Sequence, residues 1–174
     1  MSTLQVARIK RNSCSITLAY FLTFRMEMAV AVKDALKEYE AALQSALRVA
    51  PLSSSNWASQ VPREAGVYVI WQAQTPVYVG ESSSLRLRMA DMARPINHTF
   101  TRKIAQKYGI PETDYAELAR TISANYHLSH IQVELGRAEI EEYLILRWRH
   151  SLMNKPTRRL LHSTQYHWVE ALQQ

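Results

Sequence analysis

The chain is poor in the residues that build special-purpose scaffolds. It has one cysteine, Cys14, so no disulfide can close within it, and a reducing, cytoplasmic setting is expected. Four glycines and six prolines in 174 residues exclude collagen-like and low-complexity classes. His127, His130, His162 and His167 lack a spacing that would hold zinc. Long apolar runs are also missing. The best candidate, SCSITLAYFLTF (Ser13 to Phe24), is interrupted by Ser and Thr and too short to cross a bilayer, so no membrane partner is expected. The basic residues Arg8 to Arg11 before it give it some likeness to a secretory signal. Arg25 and Glu27 lie ahead of the candidate cleavage site, however, and Met26 and Met28 open a better helix. Residues 1–25 are therefore expected to be an extension upstream of the functional start.

What remains is an ordinary globular composition, 47% hydrophobic and 21% charged, enough to bury one core without disulfide or metal staples. Charge is unevenly spread. From Glu81 to Ile110 six cations (Arg86, Arg88, Arg94, Arg102, Lys103, Lys107) face two acids, and from Arg147 to Arg159 five cations face none. Between them, from Glu112 to Glu142, seven carboxylates face Arg120 and Arg137. Two basic stretches around an acidic one suit a polyanion that meets a metal or an acid locally.

Periodicity predicts the elements. Val32, Leu36, Tyr39, Leu43 and Leu47 form one stripe, giving a helix from Met28 to Ala50 that Pro51 stops. This helix is expected to pack on the domain or against a second copy, as a homodimer. The polar segment LSSSNWASQVPREA reads as a linker. GVYVIW and PVYVG read as a hairpin, and Ser82 to Ser84 offer caps for a helix ended by Pro95. Thr99 could cap a second basic helix closing at Gly109, and a third helix is expected from Pro111 to about Asn125. HLSHIQVEL from His127 reads as a third strand, and a strong helix follows from Arg137. A short C-terminal helix is expected from Ser163. The fold class predicted is α+β: a small three-stranded, mainly antiparallel sheet flanked by helices. The boundaries read as 26–62 for the N-terminal helix and linker, 63–160 for the main domain and 161–174 for the last helix.

Gly66-Val67-Tyr68, then Tyr78-Val79-Gly80 ten positions on, then Arg88 in the next helix make a joint pattern that resembles the GIY-YIG nuclease family. Downstream, Glu142-Tyr143-Leu144-Ile145-Leu146-Arg147 runs to Asn154, twelve after the glutamate, as that family's glutamate and asparagine do. Glu141 competes for the role, but the apolar triplet and the spacing favour Glu142. The resemblance covers Gly66 to Asn154. It implies a stand-alone, divalent-metal-dependent endonuclease of restriction or repair type, acting on DNA with one Mg²⁺ (or Mn²⁺).

On that likeness Glu142 would be the metal ligand, Tyr68 the general base, Tyr78 a hydrogen bonder of the water or phosphate, Arg88 a phosphate clamp and Asn154 the anchor of a neighbouring loop. A phenol of pKa about 10 must be depressed, by Arg88 or a metal-bound water, to act near neutrality. Many members carry a histidine or tyrosine four positions after the arginine. Here that position is Met92, and His98 in the following loop is the candidate substitute. The usual proline before the asparagine is replaced by Ser151. Arg86, Arg102, Lys103, Lys107, Arg147 and Arg158 are the candidate phosphate-backbone contacts. Two other functions stay open: an inactive nucleic-acid-binding module of the same fold, for which Met92 speaks, and a partner-binding protein using the Val32 to Leu47 helix.

Overall fold

A computed structural model describes residues 30–155. The upstream extension (1–25), the helix expected from Ser163 and the cation Arg158 lie outside the described residues. The chain divides into two units between Glu38 and Tyr39. Of the first, the described part is the opening of α1 (residues 30–45). The second, from Tyr39 on, holds the remainder of α1 and everything considered below.

Three strands, β1 (Gly66–Gln72), β2 (Thr75–Ser82) and β3 (His127–Gln132), pair antiparallel in the order β2-β1-β3. Helices α2 (Leu85–Asp91), α3 (Thr99–Tyr108), α4 (Tyr115–Asn125) and α5 (Arg137–Arg147) complete the unit. The expected α+β class, a hairpin plus one later strand among helices, is the one observed.

GVYVIW is apolar at every position rather than alternating, as a strand covered on both faces must be. Tyr68, Ile70 and Tyr78 face a core built with Leu85 and Met89 of α2, Phe100 and Ile104 of α3, and Leu118 and Ile122 of α4. Alternation sends Val67, Val69, Trp71 and Val79 to the opposite face, where they are equally buried. There α5 packs against β1 and β2, burying Ile140 and Leu144. Just past its end, Trp148 meets Trp71 edge-on, ring centroids 5.6 Å apart.

Four local expectations need correction. The helix α1 stops at residue 45 rather than at Ala50, because Val49 pairs with Leu128 of β3 through two backbone bonds of 2.9 and 2.8 Å. Tyr39 and Leu47 are exposed, and Glu40 is buried instead. The polar segment is no free linker, since Trp57 and Val61 are buried in the core and a 3-10 turn runs from Trp57 to Gln60. The cap of α3 is His98, with Thr99 as the first helical residue.

Candidate functional site

The hairpin brings the two tyrosines to one face. Tyr68 lies opposite Gly80 and Ile70 opposite Tyr78, so the phenols are diagonal neighbours with ring centroids 6.3 Å apart. The Tyr68 ring lies over Gly80, where a Cβ would come within 2.3 Å of Tyr68 Oη. On the other side of the strand pair, Gly66 lets β3 approach: a Cβ there would sit 2.1 Å from the Ile131 carbonyl oxygen. Both glycines of the motif are thus demanded by close contact.

Arg88, one turn into α2, returns over the sheet. Its Nε donates to Tyr68 Oη at 3.4 Å and its Nη1 to the Asn97 carbonyl at 3.1 Å. Burial raises the Tyr78 phenol, and the charge of Arg88 opposes that rise, with Thr99 helping. His98 is brought in by the Asn97 loop. Its Nε2 lies 3.1 Å from Tyr68 Oη, and its ring centroid is 6.1 and 6.0 Å from those of Tyr68 and Tyr78. Met92, at the position where a histidine or tyrosine was sought, is fully buried in the core. His98 fills that place from six residues further along.

Burial decides the charge states. Tyr68 is 1% exposed, and desolvation raises its phenol well above the ordinary value, against the pull of Arg88. Desolvation, with Arg88 beside it, lowers the His98 imidazole to about 3, so it is neutral near pH 7. Among the described residues no hydrogen-bond partner meets its Nδ1. The Tyr68–His98 pair is therefore uncharged at rest.

A carboxylate whose charge reaches this cluster belongs to Glu141. The Glu81 backbone N–H, just past Gly80, is close enough to lower it, and its own charge bears on Tyr68 and Tyr78, adding to the rise that burial gives both. Burial, with the like charges of Glu81 and Glu142, lifts it to about 7. Glu142 is also buried, 6% exposed. One residue along a helix is a turn of about 100°, so the two glutamates cannot address one point. Apolar spacing picked Glu142; the helix turns Glu141 toward Glu81 and the phenols.

Asn154 closes the free edge of β2. Its Oδ1 accepts from Val79 N–H and its Nδ2 donates to the Val79 carbonyl, both at 2.9 Å. The Met153 N–H adds a bond to the Val77 carbonyl at 2.8 Å. An amide side chain here imitates a strand residue, which is why neither Asp nor Leu would serve.

The proposed phosphate contacts divide. Arg86 holds the Val61 and Ser59 carbonyls, Lys103 holds the Met153 carbonyl, and Arg147 pairs with Glu40 at 3.5 Å. These three are tied to the protein itself. Arg102, Lys107 and Lys155 are exposed, although Lys107 also reaches Tyr126 Oη at 3.4 Å. Lys155 and Arg102 both act on Lys103, lowering it after burial has done so, which places the three cations together beside Asn154. Sequence reasoning missed Thr99, the Asn97 carbonyl and Glu81. Each is read only once the Asn97 loop and the β2 edge are seen folded.

Among the described residues no group of three His, Cys, Asp or Glu side chains could hold a metal, and none of their helices is long and apolar enough to cross a membrane. Compared with protein-family models, curated proteins and solved structures, the chain matches none.

Proposed function

We propose that this chain is a divalent-metal-dependent endonuclease of the GIY-YIG type, hydrolysing phosphodiester bonds in DNA. The observation that carries the reading is the convergence of Tyr68, Tyr78, Arg88 and His98 on one sheet face, with the Glu141 carboxylate at the adjoining strand edge. Three dispersed sequence positions, Tyr68, Arg88 and His98, meet at one phenol oxygen with Tyr78 stacked beside it, and packing alone does not require a guanidinium and an imidazole there.

The donor set suits magnesium. A carboxylate held near 7 by burial and by its acidic neighbours gains most from a cation, and Mg²⁺ needs few protein ligands because it keeps its waters. Glu141 would hold the ion, in place of Glu142. Such an ion, when bound, polarises a phosphoryl oxygen and stabilises the departing one.

The chain's own groups do the rest. Arg88 offers a planar fork for a phosphate oxygen and balances developing negative charge. Tyr68 Oη, between Arg88 and His98, positions the attacking water. Burial holds Tyr68 in its neutral form, and Arg88 is the group that pulls it toward the ionised form a base requires. Tyr78, with Thr99 beside it, orients water or phosphate from the diagonal position. Exposed Arg102, Lys107 and Lys155 extend a positive flank for the backbone.

Supercoiled plasmid nicking in Mg²⁺, run beside Glu141→Gln and Tyr68→Phe, tests this. Wild type is expected to nick and both variants to lose at least about 100-fold, the size typical of lost acid–base or electrostatic groups. Equal nicking by Glu141→Gln would overturn the assignment. Salt-sensitive DNA binding with no cleavage would favour an inactive binding module, which the raised Tyr68 phenol also suits.

A further inference from the structure

Glu40 lies on α1, outside the segment from Gly66 to Asn154, and is a carboxylate in an apolar layer. It is 9% exposed. Its three donors all come from α5 or the residue that caps it. Tyr143 Oη donates to Oε2 at 2.7 Å, Trp148 Nε1 donates to Oε1 at 3.1 Å, and Arg147 Nε lies 3.5 Å from Oε1. A buried carboxylate without donors is costly, so α5 is held where it can supply them.

That face determines the opposite one. Tyr143 and Arg147 are four residues apart and share a side of α5. Glu141, two residues before Tyr143, lies about 200° around the axis, and Glu142 about 100°. With Tyr143 anchored on Glu40, Glu141 comes to the far flank, where the Glu81 N–H meets it. We infer that Glu40 is a positioning residue: it sets the rotation of α5, so that Glu141 rather than Glu142 is presented to Glu81, Arg88 and the two tyrosines. The step rests on the reading of Glu141 as the cation-binding carboxylate. It makes α1 part of the machinery.

The test uses the whole chain, as wild type, Glu40→Gln and Tyr143→Phe, with two readouts besides cleavage. Amide hydrogen exchange without metal reports the Glu81 N–H, and Val79, held by Asn154, serves as the internal control. Glu40→Gln is expected to speed exchange at Glu81 by roughly tenfold as the Glu141 carboxylate turns away from its N–H, with Val79 unmoved. Mn²⁺ binding, followed by water-proton relaxation, should weaken by about 10- to 100-fold, as when an outer partner of a ligand is lost. Tyr143→Phe keeps the ring and the Glu40 charge, and it should shift both readouts the same way by less, which covers a failure of Glu40→Gln to fold. Exchange that rises equally at Glu81 and Val79, or Mn²⁺ affinity that does not change, would show a merely structural Glu40 and overturn the inference. Loss of Glu81 protection in Glu40→Gln, beside a wild type that cuts no DNA, would uphold the positioning and refute the nuclease.

Discussion

Tyr68 lies over Gly80 so closely that a Cβ at Gly80 would meet its oxygen at 2.3 Å and its Cζ at 2.4 Å. The glycine of YVG is thus the seat of the other tyrosine, ten residues before its partner. Gly80→Ala is expected to drive the ring off Arg88 and His98. Overpacking of this kind costs about 1–3 kcal/mol, read as a lower urea midpoint. On the proposed function nicking should fall further than Tm does, because the displaced ring is the proposed base.

His98 gives stability a pH dependence of known sign. Its folded value is about 3 against an ordinary 6.5, so the unfolded chain binds the extra proton and acid favours unfolding. The contribution is complete above about 6.5 and is lost as pH falls toward 3. Its size is on the order of a few kcal/mol over that window. His98→Gln keeps a group able to meet Tyr68 and cannot titrate. Denaturant titrations at pH 7 and pH 4.5 should show a smaller acid loss in the variant than in wild type.

The hairpin was legible before folding, but the face of its second tyrosine was not: carried straight from the turn, the pairing would set Tyr78 opposite Val69, and a bulge between Ile70 and Trp71 moves it opposite Ile70, onto the face of Tyr68. Gly66 and Gly80 were legible as a pattern, but the contacts that demand them are between strands. The glutamate was harder. Apolar residues on both sides of Glu141 and Glu142 leave the helix rotation open, and a contact from α1, residues away in another element, closes it. Tyr39 misled in the same way: the stripe at 36, 39 and 43 ignores Glu40, which is buried because three α5 donors await it. His98 was reachable as the histidine nearest Met92, but only the Asn97 loop shows that it arrives. Arg86, Lys103 and Arg147 read as free cations because a sequence does not display the carbonyls and the carboxylate that hold them.

Glu141 carries the opposite sign to His98. Its folded value of about 7 is raised from 4.5, so the folded chain binds the proton more tightly. The stability it contributes is present below 4.5 and is lost as pH rises through about 7. Glu141→Gln should therefore be more stable than wild type at pH 8, on the order of 1–3 kcal/mol, and about equal at pH 4. On the proposed function the same variant should also lose cleavage, and more of it than Glu142→Gln does. Thermal melts at the two pH values, set beside the nicking rates, check both halves.

Asn154 holds both polar groups of Val79 at 2.9 Å, on the edge of β2 next to the Glu81 N–H that meets Glu141. Asn154→Ala leaves a part-buried N–H and C=O without partners, at about 1–3 kcal/mol. Asn154→Asp keeps the acceptor for the N–H but loses the donor, and it sets a negative charge against the Val79 carbonyl. Hydrogen exchange should therefore separate them: the Val79 amide loses protection in Asn154→Ala and keeps most of it in Asn154→Asp. Both should nick more slowly, since β2 carries Tyr78 and the Glu81 N–H on this edge. If Val79 protection survives in Asn154→Ala, the amide is not what closes the edge. Met153, through its N–H to the Val77 carbonyl, would then be sufficient.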